Sequence, residues 1–440
     1  MNSKTLITLI LIAAACSVAV KVDKKQGNVS LPDKGSADAA GALAIMQGAT
    51  NSNQTQLIVL TEKSRTYRYT LREIDSTTVI NPSSSSTNDR QSQRWALTRM
   101  TYKGLKPATE YQLQVYAAAT DDLLDSRRLR TLNPDRQDLK FAFTSCMLDT
   151  YRQDDIWEQM VALNPDVIFL IGDNVYTDAI IKNPTPADIW RRNFETRSRI
   201  NLFRNKNLIP IVAVWDDHDY GKNNEGKDYP HKAESLAVFK EFFAGEKNEN
   251  YYMPGFGAAS SFNIYGYQFF LMDNRTYRTK RWASPDRHFG DQQMDWLLTS
   301  LAEHEHAFII SGDQFFGGYS IKDSFQGHHP KRFKYFLEQL KSLPTAAVFL
   351  SGDRHYTEVM AIPALLLGYQ SYEFTASPAH KDPRSFPTFF PNPLRIAGKE
   401  KRRNFMLMRA NAAANGLNLQ ATSYSVGGEV LFSGSYLVNR

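Results

Sequence analysis

Four short apolar runs stop abruptly at residues that carry chemistry: FAFTSC at Cys146, VIFLIGDNVY at Asp173, VAVWDDHDYGKNN at Asp217 and VFLSGDRHYTE at Asp353. Each is a β-branched or aromatic stretch, the mark of a buried strand, and each gives way to Gly, Asp, His or Cys. From about residue 138 such strands alternate with helical spacing, over Asp154 to Leu163, Pro186 to Arg199, His231 to Phe243, Asp291 to Glu303 and Pro330 to Lys341. That alternation predicts α/β layering. Roughly 403 to 440 reads as three strands that close the sheet. Between about 41 and 134 the pattern is short strands with turn signals: ALAIMQGA, QTQLIVLTE, RTYRYTLRE, RWALTRMTYKGL, EYQLQVYAAA and SRRLRTL. Alternation at Tyr111, Leu113 and Val115 suits a half-buried antiparallel sandwich, and Ser83 to Ser86, after Pro82, reads as a loop. Asn133-Pro134-Asp135 is the expected domain boundary, and no internal repeat is visible.

In an open α/β sheet the carboxyl ends of the strands converge on one crevice, so the four clusters should meet. Like charges about 4 Å apart repel by about 4 kcal/mol at an effective dielectric near 20, so carboxylates gathered this way need a cation. Thiolate, carboxylate, imidazole and phenolate together suit a mixed site with at least one transition metal, as in a metal-dependent hydrolase. Asp353 and His355, two apart, share a face if the chain stays extended. Tyr176 folds back towards Asp173 if Gly172 leads a turn, and Asp178 beyond it reads as a solvated loop residue. Within Trp215-Asp216-Asp217-His218-Asp219, Asp217 is the expected ligand, and His218 on the opposite strand face turns to substrate. Asn223 adds a neutral amide oxygen, a donor that suits a hard cation.

Composition narrows the class. At 440 residues, with 42% hydrophobic and 12% aromatic residues, the chain is globular and long enough for two or three domains. The first residues differ: Met1 to Lys4 is a short positive start, Thr5 to Ala15 is apolar, and Ala13-Ala14-Ala15 precede Cys16. This reads as an export signal with a lipobox-like end over residues 1–16, lipidated at Cys16, and a polar tether over 17–40; ordinary cleavage nearby is the simpler alternative. Cys16 and Cys146 are the two cysteines, so lipid on Cys16 leaves Cys146 unpaired in an oxidising compartment. Metal ligation explains such a thiol; an inert buried cysteine also would. Lys and Arg total 52 against 46 Asp and Glu, a small excess for this length, with no aromatic-basic pattern for nucleic acid. The basic clusters Arg127-Arg128 and Lys399 to Arg403 read as solvated surface.

The motifs FTSC, GDNVY, WDDHDYG and SGDRH, in this order, resemble the PhoD-like (alkaline phosphatase D) branch of the metallophosphoesterases. Further likenesses are SGDQ at Ser311, Met272-Asp273-Asn274-Arg275 with Arg278, Gly290-Asp291-Gln292-Gln293 and Glu373 to Ser377. GLKPATEYQLQVYA is similar to the last strands of fibronectin type III-like domains. The resemblance implies a four-layer αββα catalytic sandwich over 138–440 behind a fibronectin III/Ig-like β-sandwich at 41–134. It implies an exported phosphomonoesterase or phosphodiesterase using metal-activated water, with Fe3+ and Ca2+ ahead of Zn2+, Mn2+ or Mg2+. On that pattern Cys146, Asp173, Tyr176, Asp353 and His355 hold iron, Asp173 bridges, Asp217 with Asn223 serves calcium, and His218 assists the leaving group. Arg275, Arg278 and Arg354 either clamp phosphate oxygens or form structural ion pairs. Ser145-Cys146 stands where most metallophosphoesterases carry Asp-x-His, and Asp217-His218 where they carry Asn-His, as this branch does. The rivals are a phospholipase D-type diesterase on lipid or teichoic-acid-like polymers and a non-catalytic lipoprotein that binds phosphorylated polymer.

If Cys16 carries lipid, Cys16→Ser should move the protein from the membrane fraction to the soluble fraction, because multiple acyl chains anchor firmly. Wild-type protein recovered soluble, with an N-terminus beyond Cys16, would rule the anchor out.

Overall fold

The computed structural model describes residues 42–440 apart from 90–91, 151–153, 244, 246, 319–322 and 385–391. The expected signal, tether and Cys16 lie outside the described residues. Seven antiparallel strands come first: β1 Ala44–Gln47, β2 Gln54–Glu62, β3 Tyr67–Glu73, β4 Ser84–Asn88, β5 Trp95–Lys103, β6 Glu110–Ala117 and β7 Leu123–Arg130. They form two sheets, ordered β1-β2-β5-β4 and β3-β6-β7. Ile45, Leu57, Val59 and Met100 of the first meet Leu71, Leu113, Val115 and Leu129 of the second in one apolar core.

Two expectations are corrected here. Ser84–Asn88 is a strand, paired with β5 from Ser84↔Thr101 to Asn88↔Leu97. It is an exposed polar edge held by backbone bonds, which leave no hydrophobic trace. The larger sheet is also not half-buried: the alternate side chains Ala44, Met46, Ile58 and Leu60 belong to the main core of the molecule. With apolar surface on both faces, QTQLIVLTE loses its period-two signal.

The remaining chain builds two larger sheets. β8 Asp138–Thr144, β9 Val167–Ile171 and β10 Ile211–Val214 run parallel, and β19 Asn404–Ala413, β20 Gly416–Ser425 and β21 Val430–Val438 extend that sheet antiparallel from β8. The other sheet is ordered β11-β12-β13-β14-β15-β17-β16-β18, from β11 Tyr251–Tyr252, β12 Ser260–Ile264, β13 Tyr267–Met272, β14 His306–Ser311, β15 Ala346–Ser351, β16 Thr357–Ile362, β17 Ser371–Thr375 and β18 Arg395–Lys399. Its β13, β14, β15 and β17 are parallel. Phe141 and Phe169 of the first sheet pack on Phe269 and Phe308 of the second, with ring centroids 4.5–5.4 Å apart. Such contacts add about 0.5–1.5 kcal/mol each beyond area burial and pin the sheets face to face. The expected helices form at Asp154–Ala162, Pro186–Arg199, Lys232–Phe242, Asp291–Leu301 and Pro330–Ser342. Pro186–Arg199 starts with a capping box between Thr185 and Asp188 and carries Pro at its first turn, as its sequence dictates. Among the described residues, no helix is long and apolar enough to cross a membrane.

Arg127, expected at the surface, is instead a buried clasp. Its guanidinium pairs with Asp125 at 2.8 Å and donates to the carbonyls of Leu43 and Asn205 at 2.5 and 2.6 Å, tying β7 to the chain before β1 and to the loop before β10. Removing one partner of a buried pair strands the other. Arg127→Met should therefore cost about 3–5 kcal/mol in urea unfolding, where exposed Lys399→Ala costs under about 1 kcal/mol. A loss at Arg127 as small as at Lys399 would show that the clasp is dispensable.

Candidate metal centre

Parallel pairing sends the carboxyl ends of β8, β9 and β10 the same way, and likewise β13, β14, β15 and β17. Cys146 follows β8, Asp173 follows β9, Asp216 and Asp217 follow β10, Asn274 and Arg275 follow β13, and Asp353 and His355 follow β15. The two sheet edges approach closely. A Cβ on Gly172, whose φ is +93°, would lie 2.7 Å from the Asp216 Cβ and 3.1 Å from the Gly312 Cα. Only glycine fits that contact and that backbone.

Three groups of donors converge, each with its ligand atoms within 4.8 Å of one another: Cys146, Asp173 and His355; Asp173, Asp217 and His218; and Asp173, Asp216 and Asp353. Asp173 belongs to all three. It accepts from the Tyr176 hydroxyl at 2.8 Å and from the Cys146 thiol at 3.4 Å on Oδ2, and from the His218 backbone N–H at 3.3 Å on Oδ1. The Ser377 hydroxyl lies 3.2 Å from Cys146 Sγ and accepts the His355 N–H at 3.1 Å, joining the two across the crevice.

The electrostatics record an unbalanced charge. Burial, with neighbouring carboxylates, pushes the Asp173 and Asp353 carboxyls well above the usual range and Asp216 up to about 7. Burial also drives the Cys146 thiol and the Tyr176 phenol up, and Asp173 adds to both. Asp217 goes the other way. Burial opposes it, but Arg275, His218 and the Asn224 N–H hold it down to about 2. His355 is pulled down to about 3 by burial and by Arg384 and Lys381.

The residues fit cations on their own chemistry. Among the described residues, buried Asp216 Oδ2, Asp217 Oδ1 and Asp353 Oδ2 have no hydrogen-bond partner, although the opposite oxygens of Asp216 and Asp217 are well held. Orphaned carboxylate oxygens facing one crevice are costly unless an ion takes them. A thiol and an imidazole with Asp173 suit a transition metal; three carboxylates suit a hard cation.

Residues 141–424 match the PhoD-like phosphatases. The chain belongs to the PhoD-like phosphatase family. No curated protein sequence matches it. Among solved structures, astrotactin-2, described as a conserved vertebrate-specific and perforin-like membrane protein involved in neuronal development, matches over 21% of this chain and 22% of its own. The identity is 15% and the TM-score 0.18, too low to bear on fold or function.

Within this PhoD-like phosphatase the structure brings Cys146, Asp173, Tyr176, Asp217, His218, Asp353 and His355 together, but by other local geometry than expected. Asp353 and His355 do not lie on an extended chain: β15 ends at Ser351, and both have left-handed backbones, with φ of 56° and 58°. Asp353 groups with Asp173 and Asp216, and His355 with Cys146 and Asp173. Likewise Asp217 and His218 do not alternate on a strand. β10 ends at Val214, and Asp217–Tyr220 is a short helix capped by Asp216. Asp178 is not a free loop acid; its Oδ1 lies 2.6 Å from His218 Nδ1 and its Oδ2 accepts the Asn223 N–H at 2.8 Å. Asn223 itself is exposed, and its amide oxygen accepts from the Asn224 side chain. The loop reaches the site through backbone, Asn224 N–H to Asp217 Oδ2 at 2.6 Å. Arg275 is buried against Asp216 and Arg278 against Asp313, so both are committed to carboxylates. Arg354 pairs with Asp323 and lies 3.8 Å from Asp353. Asp216 was missed; its one signal was its place in the Asp216-Asp217 doublet.

The raised carboxyls predict how the cation-free protein responds to pH. An acid whose folded pKa lies above its unfolded value binds more protons when folded. Its stabilisation is therefore present at low pH and lost as pH rises through the folded value. Chelation should thus lower the melting temperature more at pH 8 than at pH 5.5, the Asp216 share of that loss developing between about 4 and about 7, while His288 and His329, buried away from the crevice, contribute alike with and without cations. Restoring cations should abolish or reverse the trend. Identical pH–Tm profiles with and without chelator would show that no ion sits among these acids.

Proposed function

We propose that the protein is an exported phosphoester hydrolase of the alkaline phosphatase D type, whose metal centre Asp173 and the donors around it would hold. The observation that carries this reading is the presence of Asp173 in all three donor groups, within a chain of the PhoD-like phosphatase family. On this reading Cys146, Asp173, Tyr176 and His355 hold ferric iron, while Asp173, Asp216, Asp217 and Asp353 face calcium. Asp216 enters, and Asp353 changes side, because of the grouping of the carboxylates. The sheets with their helices would then be the four-layer αββα sandwich, with the fibronectin III-like domain in front of it. Lipid on Cys16 would hold the enzyme at a bacterial membrane. Bound cations would offset charge on the phosphoryl oxygens and acidify water for attack on phosphorus.

The chain's own contribution is clearest at His218. The Asp178 carboxylate can only accept, which assigns the proton to His218 Nδ1 and fixes the ring. The ring also lies 4.1 Å from that of Tyr176. Burial pulls its pKa down, but without cations Asp173, Asp217 and Asp178 raise it to about 10; with cations on Asp173 and Asp217, Asp178 is the carboxylate that would hold a second proton on the ring, at Nε2, for a departing alkoxide.

Metal analysis of the purified protein, with chromogenic phosphate mono- and diester assays, tests the reading; metals bound without turnover of any ester would leave a binding protein. His218→Ala should retain its metals and lose about 10²–10⁴-fold on an alkyl ester, but far less on a nitrophenyl ester that leaves without a proton. Asp178→Asn removes a charge that raises the His218 pKa, so the alkaline limb of kcat/KM should move to lower pH, by about 1–2 units. Equal losses on both esters and an unmoved limb would rule out the acid role.

A further inference from the structure

A buried polar row leads from Asp216 across the strand ends of the second sheet. Asn274 donates from one Nδ2 to both Asp216 Oδ1, at 2.8 Å, and Asp313 Oδ1, at 2.9 Å. Asp313 Oδ1 also lies 3.2 Å from His288 Nε2 and accepts the Ser311 hydroxyl at 2.9 Å, while its Oδ2 pairs with Arg278 at 3.1 Å. His288 Nδ1 meets His329 Nδ1 at 3.1 Å, and His329 Nε2 lies 3.3 Å from the Thr279 hydroxyl. Asn274, His288, Asp313 and His329 are all fully buried.

The carboxylate of Asp313 fixes the proton order at its end of this row. A carboxylate between so many donors only accepts, so His288 must donate from Nε2 and accept at Nδ1. His329 Nε2 also lies 3.1 Å from the Thr279 carbonyl, which only accepts, so the proton order is set at His288 and not beyond it. Burial pulls His288 to about 4 and His329 to about 2, in keeping with neutral rings. Only the NH2 end of Asn274 can serve two carboxylates, which settles its orientation. The row ends on one oxygen of Asp216, which the Arg275 Nε also holds at 2.5 Å. That oxygen is tied off; the other, Oδ2, has no partner among the described residues, and Asp216 offers a carboxylate oxygen within 4.8 Å of ligand atoms of Asp173 and Asp353.

We infer that His288 is a positioning residue for the cation-facing carboxylate of Asp216, acting through Asp313 and Asn274. A core of similar shape could be filled with apolar side chains at no cost in unpaired groups. A directed polar chain that ends on one carboxylate oxygen has a use in fixing where the other oxygen points. Partners behind a ligand typically alter metal affinity about 10–100-fold. The inference rests on the reading of Asp173, Asp216 and Asp353 as a hard-cation site.

The test exploits the two ends of the imidazole. Gln places its amide nitrogen where His carries Nε2 and keeps the donor to Asp313; Asn mimics Nδ1 and loses it. Ca2+ binding is titrated calorimetrically on EGTA-treated full-length protein, the retained transition metal is counted by mass spectrometry, and folding is checked by thermal melting. His288→Asn should weaken Ca2+ about 10–100-fold with the transition-metal count unchanged, and His288→Gln should recover most of the loss. Equal Ca2+ affinity in wild type and both variants overturns the inference, as does joint loss of both ions in His288→Asn. If neither His288 variant melts cooperatively, Asp313→Asn against Asp313→Ala makes the same comparison one step nearer the ion, and equal affinities there overturn it. Wild type that takes up no Ca2+ would instead remove the hard-cation reading beneath it.

Discussion

Burying Asp173, Asp216, Asp217 and Asp353 around one crevice is the constraint on which the rest of this structure turns. At separations of a few ångströms, each added carboxylate costs several kcal/mol that neither packing nor a surface ion pair returns. The fold answers in two ways. It supplies fixed donors to one oxygen of a carboxylate, Arg275 and Asn274 at Asp216 and the Asn224 N–H at Asp217, and it leaves the second oxygen bare. The compensation is thus incomplete by construction, and the deficit has the size and chemistry of cations.

The backbone carries part of the cost. Cys146, Asp173, Asp353 and His355 all have positive φ, between 54° and 60°, each just past a strand end. Left-handed conformations are uncommon for residues with a Cβ, and such strain persists only where surrounding structure over-determines it. Here the over-determination is visible. The Cys146 N–H bonds the Gly172 carbonyl, Met147 N–H bonds the Asp173 carbonyl, and Ala379 and His380 donate to the Ser145 and Cys146 carbonyls. The turns are sewn to one another, so these four candidate donors converge at the sheet edges. An extended continuation would have sent alternate residues to opposite faces.

The second sheet supplies the supporting polarity. Asp313 gathers His288, Asn274, Ser311 and Arg278, and Glu373 at β17 accepts the N–H groups of Phe315 and Phe316 at 2.8 Å. Both acids are buried and each of their oxygens has a donor, in contrast to Asp216 and Asp217, each of which has one oxygen without a partner among the described residues.

Much of this was legible in one dimension. The buried strands before Cys146, Asp173, Asp217 and Asp353, the five long helices and the three closing strands are local facts, because period and apolar runs reflect burial directly. Convergence of the clusters also followed, since parallel strands must end at one edge. Other features could not be read, each for a physical reason. Ser84–Asn88 pairs through backbone alone, and Arg127 is buried through carbonyls of residues that are distant in sequence. β10 and β15 end before the clusters, so Asp217 begins a helix and Asp353 and His355 take left-handed backbones, which an apolar run does not announce. Asp178 and Asp216 differ from solvated acids only by what faces them. The sequence by itself determined which residues would gather; tertiary structure decided which oxygen of each is tied and which is free, because that depends on donors brought from the opposite sheet.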